Sequence, residues 1–230
     1  ATGNDWRAIE AAAHAYAEAV AVFLAFIVDK GANMWSSLCF WMNDRGAMRE
    51  TYARQVIPMV WDFAEANPFS NRSGSWSTFV NGIVKSLPKI GSPVSPNLKP
   101  STVRQGDAQE LSTIIPNSVI STDPPYYDNV PYSNLSDLFY MWMRRTLKDD
   151  FPDFFNTMHV PKLPELVANQ FRHGGKEEAE KFFLEGMTHA MHNMADQAHP
   201  AFPVTIYYAF KASETRGANT SSSGWETFLA

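Results

Sequence analysis

Cysteine is almost missing from the sequence, in which Cys39 is the single example. One thiol excludes an internal disulfide and a zinc site built from several cysteines, and it is typical of a protein that works in a reducing compartment. No other side chains form a familiar metal-binding pattern. The sequence therefore predicts a cytoplasmic protein without a metal, in which Cys39 is a small buried residue.

Positive charge is also in short supply. The 230 residues include 19 Lys and Arg against 24 Asp and Glu, which gives a formal net charge of −5. Proteins that hold nucleic acid mainly through its phosphates depend on an excess of Lys and Arg. The balance therefore argues against a free-standing basic nucleic-acid binder, and any contact with DNA would have to be local.

Long uninterrupted apolar runs are missing as well. The longest apolar patch, AYAEAVAVFLAFIV, is interrupted by Glu18, whereas a membrane span needs ~20 predominantly apolar residues. We therefore expect a core helix here and no membrane association. The first residues lack the basic region and cleavage signal of a secretory leader. Because there is no initial Met and the sequence stops inside an apparent helix, we expect a fragment of a longer protein.

The first part of the sequence favours helices, because strong helix formers recur there at helical spacing. The predicted helices occupy 5–29, with a stop at Lys30-Gly31, 47–66, with a kink at Pro58, and 76–86. The segment 88–101 contains four prolines and is the clearest internal boundary. We therefore predict a mainly helical region over 1–90.

After this boundary the pattern changes to strands alternating with helices. Strands are predicted at STVRQGDA, which ends at Gly106-Asp107, at SVISTDPPY and at FPVTIYYAFK, and helices at 132–147 and 176–199. Strand, strand, helix, helix, strand is the order of an α/β domain with parallel pairing. The predicted fold class is therefore α/β, with this domain over 91–230.

The sequence Asp123-Pro124-Pro125-Tyr126 follows the second predicted strand directly. Ligands of parallel α/β sheets bind at the carboxyl ends of the strands, so Asp123 is expected at a site. The two prolines fix their own φ angles and remove two N–H donors, which leaves a stiff turn with bare carbonyl oxygens. Asp123 and the Pro124 carbonyl could each accept one proton of an aromatic amino group, while a base stacks on Tyr126.

This tetrapeptide resembles the catalytic motif of the amino-directed DNA methyltransferases, which transfer a methyl group from S-adenosylmethionine to adenine N6 or cytosine N4. DPPY is more similar to the adenine type than to the Ser-Pro-Pro form common among cytosine-N4 enzymes. SSLCFW, ARQVIPMVWDFAEANPF, DPPYYDNVPYSNLSDLFYMW and GWETFL resemble one group of large adenine-specific DNA methylases with an uncharacterised N-terminal region. The resemblance implies a partial Rossmann-like methyltransferase sheet and a base flipped out of double-stranded DNA.

The resemblance also implies roles for individual residues. The catalytic turn would consist of Asp123, Pro124, Pro125 and Tyr126. The cofactor, S-adenosylmethionine, would contact Gly106, Asp107 and Asp123, with Asp107 accepting a hydrogen bond from its adenine amino group. Two readings stay open for Tyr127, Asn129 and Tyr132, which either line the pocket for the target base or only cap the next helix.

One departure from the family concerns the cofactor half of the site. The glycine-rich Phe-x-Gly-x-Gly loop, which lets the family's backbone approach the methionine part of the cofactor, is missing from the sequence. Because Gly-Asp-Ala precedes DPPY, we expect that loop upstream of Ala1. A non-catalytic nucleic-acid-binding or assembly module with a degenerate methyltransferase fold is therefore a rival hypothesis. Cytosine N4, RNA and protein amides are alternative substrates, and other subunits of a restriction or phage-defence system are candidate partners.

Overall fold

The computed structural model of the chain describes residues 5–54, 56–90, 101–110, 115–128 and 130–208. The helices are α1 (Asp5–Met34), α2 (Trp76–Ile90), α3 (Tyr132–Leu147) and α4 (Lys176–Gln197), and the strands are β1 (Phe40–Met42), β2 (Ala47–Arg49), β3 (Ser121–Thr122) and β4 (Thr205–Ile206). Two compact units are present, one from Ala1–Leu98 with Ser133–Val160 and one from Lys99–Tyr132 with Pro161–Ala230. The boundary predicted between 90 and 91 adjoins a segment outside the described residues, so the division into 1–90 and 91–230 stays a prediction.

Helix α1 is longer than predicted, because Lys30-Gly31 does not end it and it continues to Met34. A Cβ at Gly31 would overlap the indole ring of Trp35, which lies directly against this residue. The same indole stacks on Phe79 of α2, with ring centroids 5.7 Å apart, and its Nε1 donates a hydrogen bond of 2.9 Å to the Gly74 carbonyl. The predicted stop was wrong because Gly31 serves close packing of α1 rather than the end of the helix.

The first turns of α1 are exposed to solvent. Ile9 is 66% exposed and Tyr16 is 74% exposed, whereas Ala25 and Ile27 are buried. The expected core helix is thus confined to the C-terminal part of α1.

The span Trp6–Met34 is long and apolar enough to cross a membrane. Its most apolar stretch of 18 residues has a mean hydropathy of 1.8, and 11% of that stretch is buried. The expectation that no segment reaches this length and composition is wrong, although core helices and signal sequences reach it too. The cytoplasmic location and the lack of membrane association stay predictions.

The helix predicted over 47–66 is wrong. Its first residues form β2, which pairs antiparallel with β1 and places Ala47 opposite Met42. The described residues that follow, up to 66, are turns and irregular chain. Gly46 has φ +58°, and its N–H donates a hydrogen bond of 2.9 Å to the Met42 carbonyl. This left-handed glycine closes a hairpin, which outweighs the helical spacing of the apolar residues.

Cys39 is fully buried, as predicted, and belongs to a small polar network in the first unit. Its Sγ donates to the Asn33 carbonyl at 3.3 Å, and Thr51 Oγ1 donates to the same carbonyl at 3.0 Å. Ser36 and Thr51 share a further hydroxyl hydrogen bond of 2.8 Å. The network joins the end of α1 to the segment after β2 and satisfies polar groups that burial would otherwise penalise.

Helix α3 has the bounds that its sequence predicts. In the first unit the Tyr52 ring packs against Phe139 at a centroid distance of 5.3 Å, and its hydroxyl donates to the Leu135 carbonyl at 3.1 Å. Arg144 Nε donates to the Phe155 carbonyl at 3.2 Å. The last contact holds the irregular chain after α3, which was also predicted, against the helix.

Strands β3 and β4 of the second unit pair in parallel, which is the kind of pairing that the order of elements predicts. Their register is Ser121↔Thr205 and Thr122↔Ile206. An isolated parallel bridge between Ser118 and Ala198 extends the pairing toward the amino ends of both strands. The carboxyl ends of β3 and β4 therefore meet at one edge.

The strand predicted to end at Gly106-Asp107 is wrong. Residues 101–107 form no regular structure, and Val103 is 97% exposed. A strand is stable only beside a partner that also buries one of its faces, and this segment has neither in the described part of the chain. Within that part the sheets are two pairs, β1 with β2 and β3 with β4. The partial Rossmann-like sheet stays a prediction.

Candidate functional site

The DPPY turn leaves β3 at its carboxyl end. Asp123 is exposed to solvent, and the three residues after it are half-buried. Tyr207 and Tyr208 leave the parallel neighbour β4 at the same edge, where the Tyr207 N–H donates to the Thr122 carbonyl at 2.8 Å. The structure thus places Asp123 where ligands of parallel sheets gather.

A side-chain hydrogen bond closes the turn on itself. The Tyr126 hydroxyl donates to Asp123 Oδ1 at 2.7 Å. This bond is the main cause that raises the pKa of Tyr126 above its ordinary value of 10.0, so the phenol stays neutral at physiological pH. A carboxylate oxygen and an aromatic ring, the two groups required to hold and stack an aromatic amine, are therefore fixed side by side.

Tyr208 supports the ring of Tyr126. The two rings make an edge contact, with centroids 5.7 Å apart and planes at 84°. Burial raises the pKa of the Tyr208 phenol. Edge-to-face packing of this kind favours one ring orientation, so Tyr208 helps to set the plane on which a base would stack.

Tyr127 lies in the core of the second unit. It is 8% exposed, and its ring meets Phe183 edge-on at a centroid distance of 5.3 Å. The Tyr127 hydroxyl donates to Glu180 Oε1 at 2.8 Å. Burial first, and this hydrogen bond second, raise the pKa of Tyr127 well above its ordinary value. The side chain points into the core formed by α4, and its contact with a base stays a prediction.

Tyr132 and Asn129 are the two other residues expected near the base. Tyr132 is the first residue of α3 and is 39% exposed. Burial raises the pKa of Tyr132, and the negative charge of Asp123 raises it further. Asn129 lies outside the described residues.

The residues expected to contact the cofactor, Gly106 and Asp107, are exposed. Asp107 shapes a local turn, because its Oδ1 accepts the backbone N–H of Gln109 at 2.8 Å. The neighbouring Ala108 carbonyl accepts a hydrogen bond of 3.1 Å from Asn193 of α4. The structure thus fixes Asp107 at the surface of the second unit, and its contact with a cofactor stays a prediction.

Two contributors to the site were missed in the sequence, Tyr208 and Glu180. The first carried a partial signal, since it lies within the predicted strand FPVTIYYAFK. The second carried none, because it lies 53 residues from Tyr127 and is one of several exposed-looking acids in a helix. Among the described residues, no group of three or more His, Cys, Asp or Glu side chains could hold a metal ion.

Comparison of the chain with protein-family models, with curated proteins and with solved structures found no match. The resemblance of the DPPY segment to the amino-directed methyltransferases therefore stays a prediction. It depends on the residues themselves.

Proposed function

We propose that the chain carries the base-binding turn of an S-adenosylmethionine-dependent DNA methyltransferase, with adenine N6 as the acceptor. The observation that carries the proposal is the pairing of Asp123 with Tyr126. The Tyr126 hydroxyl oxygen and Asp123 Oδ1 lie 2.7 Å apart at the carboxyl end of a parallel strand. The hydrogen bond also closes the turn, and the same two groups suit an aromatic amine, because the carboxylate accepts an amine proton and the ring offers a stacking face.

The turn would bind the exocyclic amine through acceptors only. Asp123 accepts one amine proton, and the Pro124 carbonyl accepts the other. Because Pro124 and Pro125 have no N–H groups, these two positions offer no backbone donor that would compete for the nitrogen lone pair. Holding both protons turns that lone pair away from the ring and orients it for transfer, which is catalysis by positioning.

Stacking on Tyr126 is the second contact that would bind the base. An exocyclic amine cannot be reached inside the duplex, so the base must leave the stack. Tyr126 replaces part of the lost stacking, at about 1–3 kcal/mol per base. This local contact is consistent with a chain of net charge −5, because it does not depend on an excess of Lys and Arg.

Asp107 is the residue assigned to the cofactor, and its chemistry fits that role. Its exposed carboxylate can only accept, and it already accepts from the Gln109 side chain at 3.3 Å, as it would from the amino group of an adenine. S-adenosylmethionine would supply the methyl group as a sulfonium. The chain's own part is to bind the amine, orient it and take up its proton at Asp123.

The proposal predicts that Asp123→Ala abolishes methylation without unfolding the protein. We expect a loss of at least about a hundredfold in methyl incorporation, because an aligned acceptor at the reacting group is removed. The measurement is transfer of radiolabelled methyl from S-adenosylmethionine to duplex DNA by the full-length protein.

Asp128→Ala is the matched control, because Asp128 is an exposed acid of the same turn. We expect this variant to keep wild-type incorporation. Full activity in the Asp123→Ala variant would refute the proposed role of the turn.

A non-catalytic nucleic-acid-binding module is the second candidate, and the missing glycine-rich loop favours it. It predicts that the wild-type full-length protein binds DNA but transfers no methyl group. The methyltransferase proposal predicts DNA binding together with incorporation, so one assay of the wild-type protein separates the two.

A further inference from the structure

Tyr127 ties the DPPY turn to the rest of the second unit at two points. Its carbonyl accepts the Ala168 N–H at 2.9 Å, and its hydroxyl donates to Glu180 of α4 at 2.8 Å. Tyr127 directly follows Tyr126, the residue expected to stack on the base. Any movement of Tyr127 therefore shifts the neighbouring ring.

The segment that holds the Tyr127 carbonyl is itself braced. Arg172 Nη1 donates to Glu165 Oε2 at 2.6 Å and to the Lys162 carbonyl at 3.1 Å. The Arg172 and Glu165 side chains are 10% and 12% exposed, so this ion pair is shielded from solvent. Ala168 lies within the braced segment and is buried in the same hydrophobic cluster as Tyr127. The carbonyl end of Tyr127 thus rests on a fixed support.

The backbone of Tyr127 is strained. Its φ is +34°, a left-handed value that a bulky aromatic residue rarely adopts. Such a conformation persists only where the surroundings hold it in place, and it is common at sites that must keep one geometry. Here the surroundings are the edge contact with Phe183 and the hydrogen bond to Glu180. The strain sits one residue from the proposed stacking ring.

From these contacts we propose that Tyr127 and Glu180 are positioning residues, which hold the DPPY turn so that Asp123 and Tyr126 face the target amine together. The inference rests on the proposed function. It differs from plain core packing because the turn is held by one hydrogen bond, from the Tyr127 hydroxyl to the Glu180 carboxylate. A phenylalanine at position 127 would fill the core equally well but could not make this bond. Loss of either group would leave the core filled and would loosen the turn.

The test uses three variants of the full-length protein. Tyr127→Phe keeps the ring and removes the hydroxyl, Glu180→Ala removes its acceptor, and Glu180→Gln keeps an oxygen that can accept. We expect kcat for methyl transfer to fall about tenfold in the first two, with KM for DNA within about twofold, because misorientation acts on the chemical step. Glu180→Gln should stay within about threefold of wild type.

The double variant Tyr127→Phe/Glu180→Ala should lose no more than either single variant, because both changes break the same bond. Glu185→Ala is the control, since Glu185 lies in α4 with an exposed ion pair to Lys181 like that of Glu180 to Lys176. We expect it to keep the wild-type kcat. All rates are compared well below the melting temperature of each variant.

Two failures can be told apart. If the wild type methylates DNA and Asp123→Ala does not, a wild-type kcat in Tyr127→Phe overturns the positioning role alone. Independent losses that multiply in the double variant overturn it as well, as does a Glu180→Gln variant as poor as Glu180→Ala. If the wild type transfers no methyl group, the proposed function fails, and the positioning role fails with it.

Discussion

Tyr126 holds the carboxylate that the base would need. Its hydroxyl occupies Asp123 Oδ1, while its ring rests edge-on against Tyr208. An amino group that binds Asp123 must therefore replace this hydroxyl or use the second oxygen. The proposal thus gives the ring and the hydroxyl of Tyr126 separable roles, the first in stacking and the second in fixing the free turn.

We predict that Tyr126→Phe keeps methyl transfer within about threefold of wild type, because the stacking ring remains. Tyr126→Ala should raise KM for DNA about tenfold, because the loss of one base stack costs about 1–3 kcal/mol. Steady-state kinetics of both variants measure the difference. Equal losses in the two would show that the hydroxyl, and not the ring, carries the role.

Asp29, in the first unit, is expected to make the free energy of unfolding depend on pH. Its Oδ1 is enclosed and has no hydrogen-bond partner in the described part of the chain. Burial raises the pKa of this half-buried carboxyl from 3.8 to about 7. Between these values the folded state keeps a proton that the unfolded state releases, so the free energy of unfolding falls as pH rises through this window.

Asp29→Asn should remove that slope and raise the free energy of unfolding at neutral pH by about 1–2 kcal/mol, after allowance for solvent screening of a partly exposed group. Urea unfolding followed by tryptophan fluorescence, at acid and at neutral pH, measures the effect. An unchanged slope in Asp29→Asn would contradict a buried carboxyl with a raised pKa.

Helix α1 depends on a residue that looks like a helix stop. Gly31 lets the Trp35 indole lie on the helix, where it also stacks on Phe79. Gly31→Ala should raise helix propensity and still destabilise the first unit by about 1–3 kcal/mol, because the added methyl displaces the ring. Thermal unfolding measures the shift, and Gly82→Ala in α2, where a Cβ meets no atom within 4 Å, is the control. A gain in stability for Gly31→Ala would contradict the packing.

Elements with strong local signals were predictable from the sequence. Helix α3 has its predicted bounds, and α4 ends two residues before the prediction, because helix formers and apolar spacing agree along both. The hairpin of β1 and β2 was missed because one glycine turn decided it. The segment 101–107 was wrongly predicted because a strand depends on a neighbour that its own residues do not reveal.

The same division applies to the candidate site. The position of Asp123 after a strand was predicted from the sequence, and that strand, β3, pairs in parallel with β4. Two hydrogen bonds could not be predicted from the sequence. The bond from Tyr126 to Asp123 depends on side-chain orientation, and the bond from Tyr127 to Glu180 joins residues far apart in the sequence. The sequence pattern therefore predicts where the turn lies, whereas the hydrogen-bond partners of its side chains depend on tertiary packing.

At the scale of the whole molecule, the proposed chemistry is concentrated in the second unit. Asp123 and Tyr126 lie there, and so do the residues that support them, Tyr127, Glu180 and Tyr208. The glycine-rich loop expected to hold the methyl donor is missing from the sequence. The central claim is therefore that this chain supplies the base-binding side of the reaction.

Identification of the methylated nucleoside tests that claim most directly. Duplex DNA incubated with the full-length protein and S-adenosylmethionine is digested to nucleosides and analysed by mass spectrometry, beside the same reaction with Asp123→Ala. We predict N6-methyladenine from the wild type and at least about a hundredfold less from the variant. DNA left unmodified by the wild type, or equal N6-methyladenine from Asp123→Ala, would contradict the account.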